Sequence, residues 1–226
     1  MTDLNSAAPG QPVIHTFDWV PDVARGFVRD MRLRWAYEEA GLPYRVETVP
    51  INPKPDSLYA HQPFGQVPYL VHGDVEMFES GAAVLHIARQ SDALMPADLA
   101  QQSQVTQWIF AALNSIEIVT LPWQFLDFGE EKSERLNDWV VRRLGQLASE
   151  LEGREWLVGD RFTAADLMMA DVLRGPDPRS LAQSQVIDDY VARVTSRPAF
   201  ERAHAAQIAL YEQADRDRAA MEEETA

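Results

Sequence analysis

The chain contains 226 residues, of which 46% are hydrophobic, and it carries a formal net charge of -15. This length fits one large domain or two small ones, and the composition supplies enough apolar residues to form a core. The absence of cysteine excludes a disulfide scaffold, cysteine-ligated zinc and a cysteine nucleophile. The negative charge argues against nucleic acid and against an anionic membrane surface as partners.

The two ends of the chain differ from the rest. Residues 1–12 contain no basic residue and so lack the charged start of a signal peptide, and we interpret them as a disordered lead. No apolar run approaches the roughly 20 residues of a membrane-spanning helix. We therefore predict a cytoplasmic protein without a membrane anchor. Residues 215–226 form a predicted acidic tail.

Strand and helix patterns alternate near the start of the chain. Val13–Phe17 is a β-rich run, and 44–49 alternates apolar and polar residues as a half-buried strand does. Between them, apolar residues recur every four positions, as on one face of an amphipathic helix: Val23, Phe27, Met31 and Trp35.

The next segment is interrupted by proline and glycine. We interpret 50–66 as a loop with one short helix. Two brief strands, 69–71 and 75–78, follow, and Ser80 begins a helix. The order βαβαββα predicts an α/β N-terminal domain of the thioredoxin-like type over residues 13–91.

The remainder of the chain has a helical pattern. A predicted linker at 92–99 leads into a predicted all-α C-terminal helical domain over 100–214. The predicted helices occupy 100–118, 131–152, a segment that starts after Thr163, 186–195 and 198–214.

Two short segments carry the strongest site pattern. Pro68 stands where a strand begins, and proline supplies no N–H to a strand ladder. A cis Val67–Pro68 bond would turn the Val67 N–H and C=O outward, where they could pair with an extended peptide. Glu79 could accept from an ammonium group, while the Ser80 hydroxyl and the N–H groups of the following helix could hold a carboxylate. Together the four residues predict a clamp for a small zwitterionic peptide.

A second pattern marks the start of a helix. Thr163 and Asp166 have the spacing of a capping box, in which each side chain bonds the backbone N–H of the other residue. Phe162 and Leu167 flank the pair as a hydrophobic staple. The pattern predicts a structural role in nucleating a buried helix and no part in catalysis.

These patterns together resemble the cytosolic glutathione S-transferase family. Residues 62–70 and 78–84 are similar to its N-P-x-G-x-V-P-x-L and E/Q-S-x-A-I motifs, and 156–167 closely resembles its G-D-x-F-T-x-A-D motif. The segments 33–44 and 197–200 resemble the end of its first helix and the start of its closing helix. The resemblance spans most of the chain and implies a homodimer.

The resemblance also implies roles for individual residues. In the family the V-P proline is cis, and the valine backbone pairs with the cysteinyl part of glutathione, which implies these roles for Val67 and Pro68. The acidic-serine pair holds the γ-glutamyl end, which implies that role for Glu79 and Ser80. Gln66 fills a position that often reaches the glycine end of glutathione.

The group that the family uses to activate the glutathione thiol is missing. Family members use a Tyr, Ser or Cys between the first strand and the first helix. Between His15 and Ala36 the only hydroxyl belongs to Thr16, inside the predicted strand. Arg25 is the best substitute because a guanidinium can stabilise a thiolate, and the Trp19 indole N–H is a second possible donor. The alternative is that Arg25 is one of several solvated helix-face cations, with Arg29, Arg32 and Arg34.

A second-substrate pocket should offer aromatic surface. Phe110, Trp123 and Phe125 supply such surface, although aromatic residues at helical spacing usually pack into a core. The five histidines are scattered and form no ligand-like pair, so we predict no metal.

Our leading functional prediction is an enzyme. It would bind reduced glutathione and transfer its sulfur to an electrophilic, apolar small molecule. One alternative is a non-catalytic glutathione-binding or protein-interaction module that kept the fold, and the missing hydroxyl favours it. A further alternative is a glutathione-dependent isomerase or reductive lyase.

The capping box provides a test of this interpretation. The change Thr163→Ala should lower the free energy of unfolding by about 1 kcal/mol, because the loss of a helix N-cap side chain costs about that amount. Urea denaturation followed by circular dichroism measures the effect. An unfolding transition that superimposes on that of the wild type would contradict the capping role.

Overall fold

The computed structural model describes residues 10–125 and 130–225 and divides them into two units. The first unit contains the described residues up to Ile87 together with 199–225, and the second contains those within 88–198. The sequence places the division at a linker over 92–99 and assigns the last helix to the C-terminal domain. In the structure the last helix instead packs in the same unit as the sheet.

The first unit is built on a four-stranded mixed sheet. Its strands are β1 (Val13–Phe17), β2 (Arg45–Val49), β3 (Tyr69–His72) and β4 (Val75–Phe78). They lie in the order β2-β1-β3-β4, with β1 and β2 parallel and the other two pairs antiparallel. Helices α1 (Asp30–Ala40), α2 (Asp56–His61) and α3 (Ser80–Ala88) connect or follow these strands. The predicted βαβαββα order, and with it the thioredoxin-like fold class, is confirmed.

Helix α1 begins later than the apolar spacing predicts. Val23 is 71% exposed and Phe27 is 41% exposed, and Asp22–Ala24 forms only a 3₁₀ turn. Gly26 explains the interruption, because its φ of 79° is left-handed and a Cβ at this position would lie 2.7 Å from His204 Nε2. Close approach of the last helix therefore fixes where α1 can begin.

A buried polar cluster joins α1 to helix α10 (Pro198–Thr225). Asp30 is fully buried and accepts from Arg34 Nε at 2.6 Å and from Gln207 Nε2 at 2.5 Å. Burial raises the pKa of Asp30, and Arg34 opposes that rise. Thr16 of β1 also hydrogen-bonds Asp30, and its Oγ1 lies 3.4 Å from the Tyr211 hydroxyl. The cluster explains why α10 belongs to the first unit.

Helix α10 is also longer than predicted. It continues to Thr225, whereas the sequence predicts an end at 214 and an acidic tail over 215–226. Asp215, the first residue of the predicted tail, accepts from Trp19 Nε1 at 2.8 Å and from both terminal nitrogens of Arg25 at 2.6 and 2.8 Å. The Arg218 guanidinium lies 4.6 Å from the centre of the Trp19 ring. These contacts order a helical turn that the acidic composition alone would not stabilise.

The described residues of the second unit form helices joined by turns and loops, with no strand among them. Helix α4 (Leu99–Ala111) continues through a π-helical segment (Ala112–Glu117) into α5 (Ile118–Phe125). The remaining helices are α6 (Glu130–Leu151), α7 (Ala164–Leu173), α8 (Pro176–Ser180) and α9 (Gln185–Thr195). No described helix combines the length and apolarity that crossing a bilayer requires. The predicted helical domain is thus confirmed.

The predicted capping box lies at the start of α7. Thr163 Oγ1 accepts from the N–H of Ala165 at 3.3 Å, and Asp166 Oδ2 accepts from the N–H of Thr163 at 2.9 Å. Asp166 Oδ1 also accepts from the N–H of Leu157 at 2.9 Å and from the Tyr190 hydroxyl at 3.0 Å. Asp166 therefore ties a loop and helix α9 to the capped helix, which extends the role that the sequence predicts.

The contact between Asp215 and the loop after β1 gives a prediction with a pH dependence. Hydrogen bonding from Arg25 lowers the pKa of Asp215 from 3.8 to about 2. The ionised Asp215 carboxylate therefore contributes its full stabilisation above about pH 3.8, and this stabilisation is lost as the pH falls through about 2. Asp215→Asn should lower the melting temperature at neutral pH, and the difference from wild type should shrink as the pH falls across this range.

Differential scanning fluorimetry between neutral pH and the acid range measures this difference. Asp217→Asn is the matched control, because Asp217 lies on the same helix and, among the described residues, accepts only from Gln213 in its own turn. Equal melting temperatures for Asp215→Asn and Asp217→Asn at neutral pH would show that the contact adds nothing to stability.

Candidate functional site

The loop before β3 is held by side chains around it. Gln62, at the end of α2, accepts through Oε1 from the N–H groups of Phe64 at 2.6 Å and Gln66 at 3.3 Å. Lys54 Nζ donates to the Gly65 carbonyl at 2.7 Å. The loop therefore reaches the next residue, Val67, in a defined conformation. The Val67–Pro68 bond is cis, as the family resemblance implies.

The turn before α3 is the second part of the site. Glu79 is exposed and has a φ of 72°, a left-handed conformation that costs a non-glycine residue on the order of 1–3 kcal/mol. Ser80 is the first residue of α3 and is buried. Arg32 Nη1 donates to Ser80 Oγ at 3.0 Å. Because Ser80 Oγ accepts from Arg32, its own hydrogen is left to donate to a ligand.

One pocket brings these parts together. It is lined by all five residues that the sequence predicts for glutathione binding, with two additions: Gln66, Val67, Pro68, Glu79 and Ser80, joined by Arg29 and Gln62. The pocket presents a guanidinium, a carboxylate and a hydroxyl donor beside the first turn of a helix. Such a set can hold the carboxylate and the ammonium of one zwitterion.

The two predicted thiol activators lie together but outside the set that lines this pocket. Trp19 and Arg25 meet through the carboxylate of Asp215, and Arg25 Nε also donates to the Val20 carbonyl at 3.3 Å. The hydrogen bond to Asp215 raises the pKa of Arg25, so the guanidinium is charged and its charge is balanced by a carboxylate. Arg25 is thus half-buried and paired, unlike the solvated cation that the alternative interpretation supposes.

The other candidates near α1 also differ from the sequence interpretation. Thr16, which carries the only hydroxyl between His15 and Ala36, is fully buried in β1 beside Tyr211 and Asp30. Arg32 and Arg34 are buried rather than solvated. The interpretation of these arginines as helix-face cations is wrong, because their carboxylate and hydroxyl partners lie on the inner side of α1.

The predicted second-substrate residues lie in the second unit. Phe110 is 53% exposed on α4, and Trp123 is half-buried on α5 with its Nε1 donating to Asn137 Oδ1. Phe125 ends α5, and its side chain falls outside the described residues. A separate small pocket of about 180 Å³ in this unit is lined partly by Trp108 and Met169. None of these positions tests the predicted role in binding.

Sequence reasoning missed three contributors to the site: Gln62, Arg29 and Arg32. Of these, only Gln62 could have been predicted from its sequence neighbours, because it lies two and four residues before the N–H groups that it binds. Arg32 binds Ser80, which is 48 positions away, and no spacing pattern in the sequence indicates that contact. Within the described residues no group of three or more His, Asp or Glu side chains could hold a metal ion.

Comparison with known proteins gives matches in both halves of the chain. The model of the glutathione S-transferase N-terminal domain matches residues 23–89, and that of the C-terminal domain matches 102–198. Glutathione S-transferase 1 of Zea mays is 34% identical over 155 residues, which cover 60% of this chain and 70% of the maize protein.

Solved structures share the fold. A glutathione transferase from Pseudomonas putida, with one glutathione disulfide bound per subunit, matches with a TM-score of 0.74 at 20% identity, covering 88% of this chain and 93% of that one. Ure2p in complex with glutathione matches with a TM-score of 0.74 at 19% identity, covering 88% and 95% of the two chains. Such identities establish the fold alone.

The two domain matches and the maize relative agree with the fold and with the residues gathered in the pocket. They show that the chain belongs to the glutathione S-transferase family.

Proposed function

We propose that this protein binds reduced glutathione and transfers its sulfur to an electrophilic carbon of a small apolar molecule. The observation that carries the proposal is the pocket in which Ser80, Glu79 and the Val67 backbone meet. Glutathione has a zwitterionic γ-glutamyl end and an extended peptide part, and the pocket offers a complement to each.

The γ-glutamyl end would lie at the start of α3. Ser80 directs its hydroxyl hydrogen towards an acceptor because Arg32 already donates to its oxygen. The N–H groups in the first turn of α3 and the nearby Arg29 guanidinium favour a carboxylate at this point. The exposed Glu79 carboxylate suits the ligand ammonium. Val67 would pair through its backbone with the cysteinyl residue, and Gln66 would lie at the glycine end.

Thiol activation would come from N–H groups, since the expected hydroxyl is absent. A free thiol has a pKa of about 8.5, so only a small fraction is thiolate at neutral pH. Arg25 retains one hydrogen on each terminal nitrogen beyond those bound to Asp215, and these could donate to sulfur. We propose that Arg25 is the main group that stabilises the glutathione thiolate. Trp19 donates to the same Asp215 carboxylate that holds Arg25 in place.

A second candidate function is supported by the same contact. The charge of Arg25 is balanced by Asp215, and the Trp19 N–H is already used by that carboxylate. Both facts favour a glutathione-binding or interaction protein without turnover. A glutathione-dependent isomerase or reductive lyase would use the same binding site.

The fold and the family support a homodimer as the assembly of this protein. The absence of cysteine fits a location in the reducing cytoplasm.

The binding half of the proposal predicts an effect at each end of the zwitterion site. Ser80→Ala should weaken glutathione binding about tenfold or more, because a hydrogen bond to a charged group is lost. Glu79→Gln should also weaken binding, and since Glu79 is exposed this variant keeps the fold. Isothermal titration calorimetry measures both. Ser103→Ala, an exposed serine of the helical unit, is the matched control.

Unaltered affinity in both Ser80→Ala and Glu79→Gln would remove the basis for the site. Glutathione that binds the wild type but neither variant would place it where the pocket predicts.

The catalytic half requires a separate measurement. Arg25→Ala should lower kcat/KM for conjugation to a general electrophile about tenfold while leaving glutathione affinity unchanged. It should also raise the pKa of the bound thiol, which ultraviolet absorbance of the thiolate reports. Arg216→Ala is the control, because Arg216 is exposed on α10 and, within the part of the chain that the structure describes, bonds only to Gln213. Tight glutathione binding with no conjugation by the wild type would support the non-catalytic alternative.

A further inference from the structure

Helix α2 leads into the glutathione pocket with little buried surface of its own. It has six residues, of which only one is buried, and it ends at His61. Gln62 follows directly and is buried. It accepts from three N–H groups of the next loop, those of Phe64, Gly65 and Gln66. Because the position of Gln62 sets that of the loop, a contact other than apolar burial must hold this end of α2.

The ring of His61 is stacked on the ring of Tyr69. Their centres are 4.9 Å apart and their planes differ by 6°. His15 is stacked on the same Tyr69 ring, with centres 4.2 Å apart and planes 5° apart. His15 of β1 and Tyr69 of β3 are direct partners in the sheet, so strand pairing fixes this part of the stack. The stack therefore joins the end of α2 to the strand that follows Pro68.

A carboxylate fixes the orientation of the His61 ring. His61 Nδ1 lies 2.6 Å from Glu76 Oε1, and Glu76 pairs on β4 with Val71 of β3. Val71 lies two residues after Tyr69, so the Glu76 side chain and the Tyr69 ring share one face of the sheet. His61 thus contacts two neighbouring strands, one through the face of its ring and the other through its edge.

The charges around the stack are compatible with a neutral His15. Burial lowers the pKa of His15, and Arg45 and a charged His61 lower it further, whereas Glu47 and Glu76 oppose the change. His15 is therefore neutral at neutral pH, and the stack carries at most the single charge of His61, which Glu76 balances. Charge repulsion thus does not open the stack at the pH of an ordinary binding measurement.

We propose that His61 is a positioning residue for glutathione. Its stack on Tyr69 holds the end of α2 so that Gln62 orders the loop, and the ordered loop presents Gln66 and the Val67 backbone to the peptide part of the ligand. His61 lies outside the set of residues that lines the pocket, so it acts through Gln62 without touching the ligand. The effect on affinity rests on the proposed binding of glutathione, whereas the effect on the loop is a property of the protein alone.

Amide hydrogen exchange of the ligand-free protein, followed by NMR, tests the effect on the loop. His61→Ala should speed the exchange of the Phe64 and Gln66 N–H groups about threefold to tenfold, because an aromatic pair contributes about that factor to the equilibrium between closed and open loop. His61→Phe keeps a ring on Tyr69 and should restore most of the protection. Exchange in His61→Ala that equals that of the wild type, or no recovery in His61→Phe, would overturn the inference.

His72→Ala is the matched control on the same strand. His72 lies three residues after Tyr69, and because side chains alternate along a strand it lies on the other face of the sheet, where its Nδ1 is 3.1 Å from His86 Nε2 of α3. This variant also removes a histidine contact of β3, but it should leave exchange in the loop unchanged. An equal loosening of the loop in His72→Ala and His61→Ala would assign the effect to the sheet as a whole and refute the role of His61.

Isothermal titration calorimetry with reduced glutathione completes the test. His61→Ala should weaken glutathione binding about threefold to tenfold, and His61→Phe and His72→Ala should bind close to wild type. A loosened loop in His61→Ala with unchanged glutathione affinity would contradict the positioning role. A wild type that binds no glutathione would overturn the proposed function, whereas the exchange measurement would still confirm or refute the hold of His61 on the loop.

Discussion

The buried carboxylate of Asp30 is the interaction on which the first unit depends. It lies at the first residue of α1, where the positive end of the helix favours a negative charge, and it binds Arg34 and Gln207. Removing one partner would leave an uncompensated buried charge, so the three side chains must be placed together. This requirement docks α10 against α1 and fixes the inward-facing side of α1 from which Arg32 reaches Ser80.

The arrangement also sets the chemistry of the pocket. An arginine that donates to a serine oxygen determines what the serine can offer a ligand, and the exposed Glu79 offers the complementary charge beside it. On the other side of the pocket, Gln62 holds the loop that precedes Val67. Several side chains therefore support the geometry of the pocket, whereas Trp19 and Arg25 meet at one carboxylate, that of Asp215.

The sequence predicts those features whose causes are local. Proline before a strand identifies Pro68, and a spacing of three residues identifies the cap of Thr163 and Asp166, because each pattern involves near neighbours. The start of α1 could not be predicted, since it depends on the left-handed Gly26 and on a helix far along the chain. The burial of Arg32 could not be predicted either, because its partner Ser80 is 48 positions away. An arginine with no partner nearby in the sequence is normally predicted to be exposed to solvent.

The return of α10 to the first unit has a consequence for how the chain folds during synthesis. The sheet, α1 and the loops that line the pocket are translated early, but Gln207 and Asp215, the partners of Asp30 and Arg25, lie 177 and 190 positions further along the chain. The first unit is therefore completed last, after the helical unit has left the ribosome. Until then its polar α1 face remains without Gln207, and a chain that ends early would lack a closed first unit however well its second unit folds.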